Sequence, residues 1–137
     1  MPKLLEVLLL DDEPIVGKRL KPALAKIGCQ VEVCEDSEQA LSLLAGKEFK
    51  IVVTDIRMDK VDGMQILEFV RNRWPETLVI MITGYAMMSL AREAMDKGAF
   101  DFIAKPFKPD DLREVIVRAA NSLGYELEIP AAADKSD

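Results

Sequence analysis

The sequence predicts an α/β protein in which five parallel strands form one sheet covered by helices on both faces. Short apolar runs of strand length recur along the chain, and most are continuous, which is typical of strands buried on both faces. A longer segment with helical periodicity follows each run. No repeat or linker interrupts this order before about residue 124. Right-handed crossovers would therefore assemble the units into one doubly wound sheet.

The strands are predicted from hydropathy alone. They cover residues 7–10, 31–34, 51–53, 78–82 and 102–104. The second run alternates apolar and polar residues, as an edge strand does, whereas the other runs are continuously apolar. The second strand is therefore predicted at an edge of the sheet.

The helices are predicted from periodicity and from residues that favour helix ends. They cover residues 14–28, 37–46, 64–73, 87–97 and 109–124, where the outer bounds are approximate. Pro14 and Pro109 suit a first helical turn, and Gly28 and Gly46 suit a helix end. Pro22 lies inside the first pattern and predicts a kink there.

Composition excludes several classes of function. The chain has 137 residues, enough for one domain, and its 18 basic and 24 acidic side chains give a net charge of −6. An acidic chain has no electrostatic reason to bind nucleic acid by itself. No apolar run has the length of a membrane span and the first residues do not form a signal peptide, so a cytoplasmic location is predicted.

Histidine and cysteine usage narrows the chemistry further. The absence of histidine excludes Ser-His and Cys-His catalysis, imidazole metal ligands and a phosphohistidine on this chain. Cys29 and Cys34 would lie about 16 Å apart along one strand, too far for a disulfide. Both are predicted to be buried free thiols in a reducing compartment.

Reactive side chains follow four of the predicted strands. They are Asp11, Asp12 and Glu13 after the first strand, Asp55 after the third, Thr83 after the fourth, and Lys105 with Pro106 after the fifth. Carboxyl ends of parallel strands meet at one edge, so these groups should share a cleft. Converging aspartates repel one another unless a cation intervenes, and Mg²⁺ prefers such oxygen ligands. An aspartate there can attack phosphorus, while a lysine and a hydroxyl neutralise the transferred oxygens.

Four sequence stretches resemble the receiver domain of two-component response regulators. They are residues 8–14, 53–58, 81–84 and 103–107, and the resemblance extends over about residues 5–123. It implies a flavodoxin-like fold with strand order 2-1-3-4-5 and a receiver domain over residues 1–124. Residues 125–137 would form a C-terminal tail or the start of a linker, partly disordered. Residues 98–107 look most like receivers of the nitrogen-regulation class, which are fused to ATPases.

The resemblance implies a role for each matching residue. Asp55 would be the phosphoacceptor, and Mg²⁺ would be held by Asp11, Asp12, Asp55 and the backbone carbonyl of Arg57. Lys105 and Thr83 would contact the phosphoryl group.

Further positions match the family's conformational features. Thr83 and Phe102 would form the switch pair, and the Lys105–Pro106 bond would be cis. Tyr85 would border the path of attacking water, so its bulk should slow hydrolysis. Asp59 departs from the family, which commonly has proline there.

The implied function is a phosphoacceptor switch, not a conventional enzyme. Its partners would be a sensor histidine kinase or phosphotransfer protein and an output domain, fused or separate. A homodimer through the fourth helix, fifth strand and fifth helix is one arrangement that the resemblance allows. Neither nucleic acid nor a membrane is an expected partner.

Two alternatives have the same topology. An aspartyl phosphohydrolase would need a second aspartate two residues after Asp55, where Arg57 stands. A flavin- or nucleotide-binding module would need a glycine- or hydroxyl-rich loop after the first strand, where residues 11–13 are acidic.

Overall fold

A computed structural model describes residues 5–57, 62–84 and 88–127 of the chain. The predictions for Asp59, for Tyr85 and for residues 128–137 fall outside these ranges.

Five strands and five helices alternate along the described part of the chain. The strands are β1 (Leu5–Leu10), β2 (Cys29–Cys34), β3 (Ile51–Asp55), β4 (Leu78–Thr83) and β5 (Asp101–Ala104). The helices are α1 (Pro14–Ala25), α2 (Ser37–Gly46), α3 (Gly63–Arg73), α4 (Met88–Asp96) and α5 (Pro109–Ser122). All pairings are parallel and the strand order is β2-β1-β3-β4-β5. The predicted fold, including β2 as an edge strand, is confirmed.

Each predicted strand is one or two residues shorter than the observed strand, and β3 and β4 were predicted to end too early. Asp55 is the last residue of β3 and pairs with Ile82, and Thr83 is the last residue of β4 and pairs with Ala104. Hydropathy placed both polar residues beyond their strands, but strand pairing is made by main-chain groups whatever the side chain. Both side chains are therefore fixed by the sheet itself.

The sheet separates two apolar cores. One core joins the sheet to α1 and α5, through residues such as Leu9, Leu24 and Ile116. The other joins it to α2, α3 and α4, and includes Leu8 and Leu67. Neighbouring residues of β1 thus enter opposite cores, which explains why its sequence is continuously apolar.

Three smaller predictions can be compared with the structure. Cys29 and Cys34 are free and buried, as predicted, and burial raises the pKa of their thiols to about 12 and about 11 respectively. Pro22 lies within α1. None of the helices in the described ranges is both long and apolar enough to cross a membrane.

The start of α3 is packed directly against the end of β3. Asp62 and Gln65 form a reciprocal capping box, in which each side chain accepts a hydrogen bond from the other residue's backbone N–H. The Gly63 N–H donates to the carbonyl of Ile56 at 2.7 Å. A Cβ on Gly63 would lie 2.3 Å from the carbonyl oxygen of Asp55, closer than atoms can approach. This contact requires glycine.

We expect Gly63→Ala to lower the free energy of unfolding by about 2 kcal/mol, because the new methyl group meets backbone that cannot rotate away. Gly46→Ala is the matched control, since a Cβ on Gly46 would meet no atom within 4 Å. Urea unfolding measures both. Equal stability of the two variants would contradict the packing described here.

Candidate functional site

The candidate site lies at the carboxyl edge of the sheet, where main-chain pairing continues past the strand ends. The Asp11 N–H donates to the Cys34 carbonyl at 3.1 Å, and the Lys105 N–H donates to the Thr83 carbonyl at 2.7 Å. Asp55 is itself part of β3. Each residue is therefore positioned by backbone hydrogen bonds, which limits how far it can move.

Three carboxylates converge at this edge. Asp11, Asp12 and Asp55 each place one carboxylate oxygen within 4.8 Å of the others'. Asp11 is 2% exposed and Asp55 is 8% exposed, whereas Asp12 lies at the surface. Asp11 Oδ1 accepts the Glu13 N–H at 2.9 Å, and Asp55 Oδ1 accepts the Arg57 N–H at 3.1 Å. The turns that follow β1 and β3 thus orient the two buried carboxylates.

The cluster fits a divalent cation. Asp11 Oδ2 is buried and accepts no hydrogen bond of normal geometry, and its contact with the Lys105 ammonium at 3.2 Å is an ion pair. Three converging carboxylate oxygens make a ligand set that hard cations such as Mg²⁺ prefer.

The ammonium group of Lys105 contacts three carboxylates at once. Its Nζ lies 2.7 Å from Glu13 Oε1, 3.0 Å from Asp55 Oδ2 and 3.2 Å from Asp11 Oδ2. Lys105 and Asp55 are 50 residues apart in sequence and meet because β3 and β5 end at the same edge. This ammonium offsets part of the repulsion within the cluster.

The pKa shifts follow from burial and from these contacts. Burial raises the pKa of the Asp11 carboxyl, against the opposing effects of the Glu13 N–H and of Lys105. Burial alone would lower the pKa of Lys105, but hydrogen bonds to Glu13 and Asp55 raise it above its usual value. The same hydrogen bond to Lys105 lowers the pKa of Glu13. Lys105 therefore stays protonated at neutral pH.

Thr83 and Phe102 lie on the same face of the sheet. Met81 is the register partner of Phe102, and Thr83 follows Met81 by two residues, so all three side chains share one face. Thr83 is buried, and its hydroxyl donates to the Gly84 carbonyl at 3.0 Å. Phe102 is half-buried and packs against the core beneath α4. The Lys105–Pro106 peptide bond is cis.

The structure brings together Asp11, Asp12, Asp55 and Lys105, which the sequence predicted to share a cleft. The metal-binding role of the Arg57 carbonyl stays a prediction, and Tyr85 lies outside the described residues. Glu13 was also predicted in this cleft and is the partner nearest to Lys105, although the resemblance implied no role for it. The sequence feature that could have indicated this contact is a third acidic residue directly after the first strand.

Comparison with known proteins agrees with this geometry. A family model of the response regulator receiver domain matches residues 7–117, most of the chain. The chain belongs to this family. It is accordingly a receiver domain of the kind used in two-component signal transduction.

Individual relatives of this receiver domain are similar over nearly its whole length. The response regulator PilR of Pseudomonas aeruginosa is 32% identical over 90% of the chain. The nitrogen assimilation regulator NtrX of Azorhizobium caulinodans is 30% identical over 90% of it. The chain spans 28% of the length of each of these two relatives. A receiver domain structure from Clostridium thermocellum has a TM-score of 0.82 and 31% identity, over 88% of this chain and 98% of that one.

We expect Mg²⁺ to stabilise this receiver domain, because a ligand that binds only the folded state raises the free energy of unfolding. At about 100 times the Kd the increase would be about 2.7 kcal/mol. Asp12→Asn should reduce the increase, whereas Asp96→Asn on the exposed side of α4 should not. Thermal unfolding with MgCl₂, compared with NaCl at equal ionic strength, measures this. An equal response of the wild type and Asp12→Asn would contradict the metal assignment.

Proposed function

We propose that this receiver domain is a phosphoacceptor switch in which Asp55 takes a phosphoryl group from a phosphohistidine on another protein. The observation that carries this proposal is the position of the Asp55 carboxylate, 3.0 Å from the Lys105 ammonium and beside Asp11 and Asp12. A carboxylate nucleophile needs positive charge close to where the transferred oxygens arrive, and Lys105 supplies it.

The transfer itself needs little beyond positioning and charge. An oxygen of Asp55 forms the bond to phosphorus while the bond from phosphorus to the donor nitrogen breaks, and the product is an acyl phosphate. Lys105 hydrogen-bonds an incoming oxygen and remains protonated throughout. Asp11, Asp12 and Asp55, with the carbonyl of Arg57, would hold Mg²⁺, which when bound adds positive charge for the phosphoryl oxygens. The chain would promote the acylation of its own Asp55 and would not be a conventional enzyme.

The signal would leave the site through Thr83 and Phe102. Among the described residues, the Thr83 hydroxyl donates only to the neighbouring Gly84 carbonyl, a partner that it can exchange for a phosphoryl oxygen. Phe102 lies on the same face of the sheet and is half-buried, so an inward movement would bury the part of its ring that is now exposed. Movement of this pair would change the surface formed by α4, β5 and α5.

That surface would meet an output domain, whether fused or separate, or a second copy of the chain. The donor would be a sensor histidine kinase or phosphotransfer protein, because this chain contains no histidine. A groove of 390 Å³ beside Lys105, lined by Ile15, Leu20 and Phe107 among others, offers the donor an apolar surface. Ile15 is 60% exposed and lines the same groove, so the apolar surface of the groove extends to the outside of α1. A cytoplasmic location fits the two free thiols.

We expect acetyl phosphate with Mg²⁺ to phosphorylate the wild type, and Asp55→Asn to abolish incorporation, because the amide cannot form the acyl phosphate. Asp96→Asn is the control, since it makes the same chemical change on an exposed helix face. Intact-protein mass spectrometry measures incorporation. Equal incorporation in the wild type and Asp55→Asn would discard the phosphoacceptor assignment.

We expect Thr83→Val to keep phosphorylation of Asp55 but to lose its effect on α4 and β5, because valine keeps the shape and removes the hydroxyl. Amide hydrogen exchange before and after treatment with acetyl phosphate measures this. In the wild type, exchange in α4 and β5 should change on phosphorylation. The same change in phosphorylated Thr83→Val would show that the hydroxyl does not transmit the signal.

A further inference from the structure

The side chain of Glu13 extends away from the helix that it begins. Glu13 is the residue before α1, where a shorter side chain such as that of aspartate or serine often accepts hydrogen bonds from the first backbone N–H groups. Its side chain makes no such bond. Instead it accepts a hydrogen bond from Lys105, 92 residues away in the sequence, at 2.7 Å.

The three carboxylates that contact Lys105 are not equivalent. Asp11 and Asp55 belong to the cluster that fits a divalent cation, whereas Glu13 does not. The Glu13 side chain is 59% exposed, against 1% for Asp11 and 12% for Asp55. Glu13 therefore contacts the ammonium group from the solvent side, and the two buried carboxylates contact it from within.

An ammonium group and a divalent cation compete for the same carboxylate charges. If Lys105 had only Asp11 and Asp55 as partners, its ammonium would have to be displaced from both before they could serve a cation. A third carboxylate on the solvent side gives the ammonium a partner that it can keep. We propose that Glu13 is a positioning residue that keeps its contact with the Lys105 ammonium on the solvent side when the ammonium gives up Asp11 and Asp55 to Mg²⁺.

The local backbone supports this role. The Glu13 N–H donates to Asp11 Oδ1 at 2.9 Å, so the turn that orients Asp11 also fixes the start of the Glu13 side chain. Lysine is long and flexible, and a fixed partner reduces the number of positions that its ammonium samples. Exposed ion pairs are weak, so the effect on Mg²⁺ affinity should be small, about two- to fivefold.

The positioning role of Glu13 rests on the proposed function, in which the Mg²⁺ site serves phosphoryl transfer. Its test uses Mg²⁺ alone and no phosphoryl donor. Isothermal titration of the full chain with MgCl₂ gives the Kd. Glu13→Asp keeps the charge and shortens the side chain, so it should raise the Kd about two- to fivefold if contact with Lys105 matters. Glu76→Asp is the matched control, since Glu76 is exposed between α3 and β4 at the other edge of the sheet. Its Kd should equal that of the wild type.

A double-mutant cycle separates positioning from a general effect of charge or folding. In a Lys105→Ala background, Glu13→Asp should no longer change the Kd, because the competing ammonium is gone. The proposal would be overturned if Glu13→Asp had the same Kd for Mg²⁺ as the wild type. It would also be overturned if Glu13→Asp raised this Kd equally in the presence and in the absence of Lys105. Failure of Asp55 labelling with acetyl phosphate would count against the phosphoacceptor function while leaving this cycle interpretable.

Discussion

The contact of one ammonium group with several carboxylates is the constraint on which the site depends. Asp11, Asp12, Glu13 and Asp55 lie at one edge of the sheet, and Lys105 contacts three of them. Like charges so close would separate if the chain allowed it. They do not, because β1 and β3 are adjacent strands whose pairing fixes the backbone on both sides of the cluster. The sheet thus maintains a charge density that favours cations.

The two apolar cores provide the free energy that holds this arrangement. Neighbouring residues of β1, such as Leu8 and Leu9, are fully buried in opposite cores. Full burial of a leucine side chain contributes about 1.5–3 kcal/mol, and many such residues line both faces. Repulsion among a few carboxylates is small beside that total. Stability is therefore supplied by the body of the sheet, and reactivity is confined to its edge.

The sequence predicted the fold well because a strand buried on both faces must be continuously apolar. Strand ends were less well predicted, since Asp55 and Thr83 are polar yet still pair within the sheet. The cleft residues were predictable because each directly follows or ends a strand. The contact of Glu13 with Lys105 was not predictable from the sequence. It joins residues 92 positions apart and depends on a side-chain rotamer that no local sequence pattern encodes. Hydropathy predicts strands and helices, whereas contacts between side chains distant in sequence are seen only once the carboxyl edge of the sheet is assembled.

Helix α5 runs between the edge of the sheet that carries the site and the opposite edge. The helix begins four residues after Lys105 and ends at Ser122, about 21 Å away along its axis. Beyond it, Tyr125 and Leu127 pack against the core shared by α1 and α5, and Leu127 lies close to Gly28 at the amino edge of the sheet. Residues 125–127 therefore lie at the edge opposite to the site. Buried residues at both ends of α5, such as Leu112 and Ala120, fix the helix against the sheet between these two edges.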